Sequence, residues 1–156
     1  MNYWLMKSEP SVYGIWDLQR EGQTLWDGVR NYQARNYLKA MQPGDQAFFY
    51  HSNADPPGIA GLMEIVETQV VDPSQFDVAS PYYDPKSSRA DPRWHTVRVQ
   101  FVAVFGRFLS LPELRATFTP EELEVVRRGT RLSVLPVSQI VAERVLALRT
   151  VSPQPL

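Results

Sequence analysis

Residues 26–36 bring together side chains that could bind a planar ligand next to an anion. Trp26 offers a flat aromatic surface, and the Asp-Gly pair that follows it forms a tight turn. Arg30 and Arg35 supply donors for phosphate, and Asn31 can cap the helix that follows. Because backbone N–H groups at a helix N-terminus bind anions, this order of residues predicts a pocket for a nucleobase.

Patterns for catalysis or metal binding are sparse. The chain has no cysteine, its serines lack the G-x-S-x-G elbow, and it has no glycine-rich phosphate loop. Carboxylates such as Glu9 and Asp27 could pair as acid and base, but no spacing shows that two of them converge. His51 and His95 lack the spacing of metal ligands. We therefore expect no metal and no cofactor, while these residues by themselves leave a hydrolase open.

Strands and short helices must position these side chains. Alternating or continuous apolar runs predict strands at residues 3–7, 46–51, 59–71, 94–104 and 132–135. Helical spacing of apolar residues, with caps and stops, predicts helices at residues 12–20, 111–117, 120–128 and 138–148, and one that runs from Asn31 to a stop at 43–45. Such a mixture predicts an α+β fold, with a small bent sheet or barrel and helical flanks.

The apolar residues of the segment 72–93 follow neither the helical nor the strand spacing, and the segment contains four prolines. A loop of this length in a compact domain is often functional, and it can also serve as an ordered cover over one end of a barrel. It is also the segment on which a protein-interaction module would depend.

Composition and charge set the remaining bounds. With 156 residues, of which 44% are hydrophobic and 21% charged, the chain suits one domain over residues 1–150 with a C-terminal tail at residues 151–156. It shows no signal-peptide pattern and no apolar run near the ~20 residues of a membrane span, so we expect a cytoplasmic monomer without a membrane partner. A net charge of -1 means that any contact with nucleic acid must be local.

Six motifs, taken in order, resemble the EVE domain family. They are the segments at residues 3–10 (YWLMKSEP), 26–36 (WDGVRNYQARN), 50–53 (YHSN), 58–61 (GIAG), 91–94 (DPRW) and 131–136 (RLSVLP). That family includes the thymocyte nuclear protein group and belongs to the PUA-like superfamily. The likeness runs from Met1 to about Leu148, and a likeness to the YTH domains, readers of methylated adenine in RNA, is much looser.

The resemblance implies a PUA-like bent β-barrel of about five or six strands flanked by short helices. It also implies a reader that binds without catalysis, whose partner is DNA or RNA with a modified base. That base, such as a methylated cytosine, enters an aromatic pocket. Carried over by position, the base-binding residues are Lys7, Ser8, Trp26, Val29, Arg30, Asn31, Tyr50, His51, Ser52, Trp94 and Ser133. The residues expected to contact phosphate are Arg30, Arg35 and Arg93.

Other interpretations of the same residues stay open. His51 equally fits a core histidine that makes a hydrogen bond, and Trp94 fits a residue that seals the end of the barrel. Lys7 at the inner end of a strand is costly unless it faces a pocket or pairs with Glu9 or Asp27. The alternative functions are a small enzyme that acts on nucleotides or RNA, as in the ASCH branch of the superfamily, and a protein-interaction module.

Overall fold

A computed structural model describes residues 1–150, so the predicted tail at residues 151–156 lies outside the described residues. The strands are β1 (Tyr3–Ser8), β2 (Gln23–Leu25), β3 (Gln46–His51), β4 (Gly58–Val71), β5 (His95–Ser110) and β6 (Val134–Val137). The helices are α1 (Ile15–Glu21), α2 (Tyr32–Ala40), α3 (Leu111–Thr117) and α4 (Gln139–Leu148), with short 3₁₀ turns at Pro73–Phe76 and Glu124–Val126.

The six strands form one mixed sheet in the order β2-β5-β4-β3-β1-β6. Only β1 and β3 pair in parallel, and the other neighbours are antiparallel. The predicted α+β class is therefore confirmed, but the predicted closed barrel is not. Within residues 1–150 no ladder joins β2 to β6, because these two short strands each pair with a single neighbour and leave the sheet open.

The centre of the sheet is buried on both faces, as the continuous apolar runs of β1 and β3 require. Leu5, Met6, Phe48 and Phe49 are fully buried. In the adjacent β4, a Cβ on Gly61 would lie 2.5 Å from the Ala103 carbonyl oxygen of β5, so the strands approach more closely than a side chain permits. The register between β4 and β5 also shifts beside this glycine, as it does at a β-bulge.

The helices differ from the sequence prediction in ways that have local causes. The predicted start of α2 is confirmed, because the Asn31 side chain accepts the Ala34 N–H at 2.9 Å. The predicted helix at 12–20 begins later, at Ile15, because Gly14 is its N-cap, and Val12 stays exposed outside it. The predicted helix at 120–128 is reduced to a 3₁₀ turn, and β2 has no counterpart in the prediction.

Among the helices of residues 1–150, none is both long and apolar enough to cross a lipid bilayer.

Candidate functional site

A cavity of about 660 Å³ lies at the edge of the sheet where β1 and β3 end. The parallel pairing places Ser8 opposite His51, so both strands finish at the same edge. The Ser52 N–H then donates to the Ser8 carbonyl oxygen at 3.0 Å, which extends the pairing into the cavity wall. The full lining is Lys7, Ser8, Glu9, Val12, Tyr13, Thr24, Leu25, Trp26, Asp27, Gly28, Val29, Arg30, Ser52, Asn53, Tyr82, Arg131 and Ser133.

Seven of the eleven predicted base-binding residues meet in this cavity. They are Lys7, Ser8, Trp26, Val29, Arg30, Ser52 and Ser133. The other four lie behind or beside its wall, and they are Asn31, Tyr50, His51 and Trp94. Four chain segments that are distant in sequence therefore build one site, while the last four residues support it from outside.

Trp26 forms a rigid part of the wall. Its side chain is only 7% exposed and meets the Phe49 ring edge-on at a centroid distance of 5.3 Å. Its backbone N–H donates to the Val97 carbonyl oxygen at 3.0 Å, and its carbonyl oxygen accepts the Thr96 hydroxyl. Thr96 is buried, and this hydrogen bond satisfies its hydroxyl group.

Lys7 reaches the cavity as an unpaired cation. Within residues 1–150 its ammonium group makes no hydrogen bond and no ion pair, so the predicted alternative of a salt bridge with Glu9 or Asp27 is not formed. The Lys7 Nζ lies 5.9 Å from the centroid of the Tyr50 ring, which places Tyr50 beneath the lysine and outside the cavity itself. Burial lowers the pKa of the Lys7 ammonium, with a smaller opposing effect from Glu124.

Asp27 brings an unpaired carboxylate to the same cavity. Partial burial of the carboxyl group raises its pKa, and the charge of Asp72 adds to the effect, even though much of the residue is open to solvent. No other residue in the described part of the chain donates a side-chain hydrogen bond or an ion pair to it. The cavity thus holds two opposite charges that do not neutralise each other.

Arg30 uses its guanidinium to hold the long loop of residues 72–93. Its Nε and Nη2 donate to the Tyr82 carbonyl oxygen at 3.0 and 2.7 Å, and Nη2 also donates to the Ser74 hydroxyl at 3.0 Å. Its Nη1 donates to the Val29 carbonyl oxygen at 2.9 Å and to the buried Asp72 carboxylate at 3.1 Å. Since a guanidinium has five N–H donors, this network leaves none for a phosphate.

Tyr82 shows that the long loop forms part of the site. It lines the cavity beside Gly28, where an added Cβ would come within 2.7 Å of the Tyr82 ring. Gly28 also has a φ of 85°, a conformation that other residues adopt only with strain. The glycine therefore lets the loop close against the turn after Trp26, and of the two expectations for this loop, the structure places it at the site.

Trp94 and His51 stabilise the elements around the cavity. The Trp94 indole N–H donates to Asp84 at 2.7 Å, which holds the pKa of that carboxyl below its usual range. His51 Nε2 accepts the Ile15 N–H at 3.1 Å at the start of α1, and burial lowers the pKa of its imidazole. His51 thus matches its structural interpretation as a histidine that makes a hydrogen bond, and the contact of either residue with a ligand stays a prediction.

Of the arginines expected to contact phosphate, Arg35 and Arg93 lie outside the cavity lining. Arg35 Nη1 donates to the Arg93 carbonyl oxygen at 3.0 Å, and its guanidinium stacks on Tyr32. Arg131 does line the cavity and is exposed, with no hydrogen bond or ion pair from its side chain within residues 1–150.

Sequence reasoning missed several lining residues, chiefly Tyr13, Asp27, Tyr82 and Arg131 as members of one site. The Asp-Gly turn and the Tyr-Tyr-Asp segment of the loop were visible signals for two of them. Tyr13 had no such signal, since it comes into place when its carbonyl oxygen accepts the Ser8 hydroxyl at 2.6 Å. Burial, together with its hydrogen bond to Glu21, raises the pKa of Tyr13 to about 12.

No cluster of three or more metal-ligating side chains occurs among the residues that the structure describes.

Comparison with known proteins gives consistent matches over almost the whole chain. A family model described as the EVE domain matches residues 2–148. Thymocyte nuclear protein 1 of Mus musculus is 44% identical over 97% of this chain and 75% of its own length. A crystal structure of a Pseudomonas syringae protein is 48% identical, with a TM-score of 0.90 over 94% of this chain and 99% of that one.

A crystal structure of human THYN1 protein in complex with DNA that contains 5-methylcytosine matches at 44% identity and a TM-score of 0.88, over 98% of this chain and 100% of that one. A YTH domain from Zygosaccharomyces rouxii has a TM-score of 0.58 at 12% identity, over 98% of this chain and 89% of that one, which supports a shared fold alone.

These relatives contradict the expected cytoplasmic location, because the vertebrate proteins that match are nuclear proteins by name. The prediction was wrong because it used the lack of a signal peptide and of cysteine. Both observations fit a nuclear protein as well as a cytoplasmic one, since neither compartment needs a secretory signal or forms structural disulfides.

Proposed function

This chain belongs to the EVE domain family, and we propose that it is a reader of modified DNA that takes 5-methylcytosine or a related base into the cavity beside Trp26. The observation that carries the proposal is the match, over 98% of the chain, to human THYN1 protein in complex with DNA containing 5-methylcytosine. The proposed activity is binding without a chemical step.

The chemistry of the cavity supports this proposal. Its volume of about 660 Å³ lies in the range of small-ligand sites. A base flipped out of the duplex would lie against Trp26, with the rings of Tyr13 and Tyr82 also in the lining. Stacking contributes roughly 1–3 kcal/mol per base, while extrusion of the base costs a few kcal/mol. Net affinity therefore depends on hydrogen bonds to the base and on contacts with phosphate.

The test is binding to a panel of short duplexes that differ only at one central base. Cytosine, 5-methylcytosine and adenine would be compared in DNA and in the matching RNA, at one salt concentration. We expect the tightest binding to DNA with 5-methylcytosine, by about 10–200-fold over cytosine if the methyl group enters an apolar part of the cavity. Equal affinity for all members of the panel would contradict the proposal.

Arg131 is the residue proposed to meet phosphate at the cavity mouth. Replacing it with glutamine should weaken binding to every duplex in the panel by a similar factor, because a phosphate contact carries no base information. The slope of log affinity against log salt should also fall by about 0.9, which titration at several salt concentrations measures. Arg20→Gln is the control, since the Arg20 guanidinium pairs with Asp17 away from the cavity. An unchanged slope for Arg131→Gln would rule out the contact.

Lys7 is proposed to donate to the ring nitrogen or carbonyl oxygen of the base. The variant Lys7→Met should lose about 1.5–3 kcal/mol of binding free energy, the usual value of a hydrogen bond to a charged group. It should also melt at a higher temperature than the wild type near neutral pH. Calorimetric titration and thermal unfolding measure the two effects.

The sign of the stability effect follows from the lowered pKa. Since the folded state disfavours the charged lysine relative to the unfolded value of 10.5, the cost is fully present below the folded pKa. It disappears as pH rises from the folded pKa towards 10.5, so the advantage of Lys7→Met should shrink over that range. A variant that is less stable than the wild type at neutral pH would show that Lys7 has a stabilising partner.

A second candidate is a small enzyme acting on nucleotides or RNA. It is favoured by one observation, a lysine of lowered pKa and an aspartate of raised pKa in the same cavity, a combination common at active sites. Incubation with modified nucleosides, DNA and RNA, followed by mass spectrometry, tests it. Any product that forms with the wild type and not with Lys7→Met would favour the enzyme over the reader.

A further inference from the structure

The backbone of Asp27 is held next to the aromatic wall of the cavity. The Trp26 backbone N–H donates to the Val97 carbonyl oxygen, and the Trp26 carbonyl oxygen accepts the Thr96 hydroxyl. The Asp27 N–H donates to the Leu25 carbonyl oxygen at 3.0 Å, and the following Gly28 N–H donates to Asp72 at 2.9 Å. With the backbone fixed on both sides, the Asp27 side chain starts from a defined position beside the residue on which a base would stack.

The carboxylate also has no competing partner. Among the described residues no other residue donates a hydrogen bond to it, and it forms no ion pair with Lys7; only its own backbone N–H contributes a hydrogen bond. Asp72 differs in this respect, because Gly28, Arg30 and Ser74 occupy both of its oxygens. Asp27 is therefore free to accept a hydrogen bond from a ligand.

A carboxylate accepts hydrogen bonds and donates none when it is ionised. 5-Methylcytosine and thymine share the ring, the methyl group and the carbonyl oxygen at position 2, but cytosine has an amino group at position 4 where thymine has a carbonyl oxygen. An ionised aspartate can accept a hydrogen bond from the amino group of cytosine, and it repels the carbonyl oxygen of thymine. We propose that Asp27 accepts a hydrogen bond from the exocyclic amino group of the base and so distinguishes 5-methylcytosine from thymine, an inference that rests on the proposed function.

Lys7 completes the edge of the base in this arrangement. An ammonium group only donates, so in the same cavity it matches the ring nitrogen or the carbonyl oxygen of cytosine, both of which accept. The raised pKa of Asp27 adds a condition, because the carboxyl group stops accepting once it is protonated. Selectivity for the amino base should therefore weaken as the pH falls through that raised pKa.

The experiment measures the ratio of affinities for 5-methylcytosine and thymine. Each base is placed at the centre of a short duplex opposite an abasic site, so that neither base has to be unpaired before it binds. The wild type should prefer 5-methylcytosine by about tenfold or more, the usual effect of one good base-edge contact. In Asp27→Asn the ratio should fall to near one, because an amide can donate to the thymine carbonyl as readily as it accepts from the cytosine amine.

Asp55→Asn is the matched control, because it makes the same substitution at an exposed carboxylate that lies outside the lining of the cavity. It should keep the wild-type ratio. Thermal unfolding and the variant Asp27→Ala, which should also lose the preference, separate loss of recognition from loss of the fold.

An unchanged ratio in Asp27→Asn, or an equal loss of the ratio in Asp55→Asn, would overturn the role of Asp27. Both results would leave the proposed function intact, provided that the wild type still prefers 5-methylcytosine over cytosine. If the wild type shows no such preference, the proposed function itself fails.

Discussion

Trp26→Ala should lower affinity for DNA with 5-methylcytosine by roughly 5–150-fold and also lower the free energy of unfolding by about 3–5 kcal/mol. The first effect is the loss of one stacking surface, which contributes roughly 1–3 kcal/mol per base. The second follows from burial, because the side chain is 7% exposed and packs on Phe49. Titration with the modified duplex and urea-induced unfolding measure the two quantities.

Two variants separate the effects at Trp26. Trp26→Phe keeps an aromatic ring, so it should recover part of both binding and stability. Trp16→Ala removes a tryptophan that is 61% exposed, and should cost much less stability. If Trp26→Ala stays folded and binds the modified duplex as tightly as the wild type, the stacking role is wrong.

Arg30→Gln should have the second large effect, on the loop of residues 72–93. The substitution leaves the carboxylate of Asp72, with a side chain 2% exposed, without its cationic partner. Removing one member of a buried ion pair costs about 3–5 kcal/mol, because the remaining charge stays out of water. Since Arg30 also holds the Tyr82 carbonyl oxygen, faster hydrogen exchange should follow along the loop. Binding should weaken as that wall of the cavity loosens.

Arg98→Gln is the control for this prediction. Arg98 pairs with Glu67 at 3.1 Å, but the two side chains are 40% and 56% exposed. An exposed pair of this kind contributes about 0–1 kcal/mol, so the loss should be small. Equal losses of stability in the two variants would show that the Arg30 network does not hold the loop.

Local signals in the sequence were sufficient to locate α2, three of the strands and many of the residues that line the cavity. Capping chemistry located the start of α2 at Asn31, and apolar runs located β1, β3 and β4, because both signals depend on neighbouring residues only. The motifs that resemble the EVE domain named seven of the residues that line the cavity. These motifs are short, continuous segments, so the order of the chain is sufficient to recognise them.

Packing between distant segments determines which of these residues face the cavity and which contacts each side chain makes. Arg30 changed from an expected phosphate ligand to the anchor of the loop, through bonds to residues 42 to 52 positions away. Asp27 and Lys7 were left without partners, although the sequence offered each to the other. Hydrogen-bond partners depend on which distant segments pack together. The local spacing of residues therefore does not show which donors are already bonded in the folded chain.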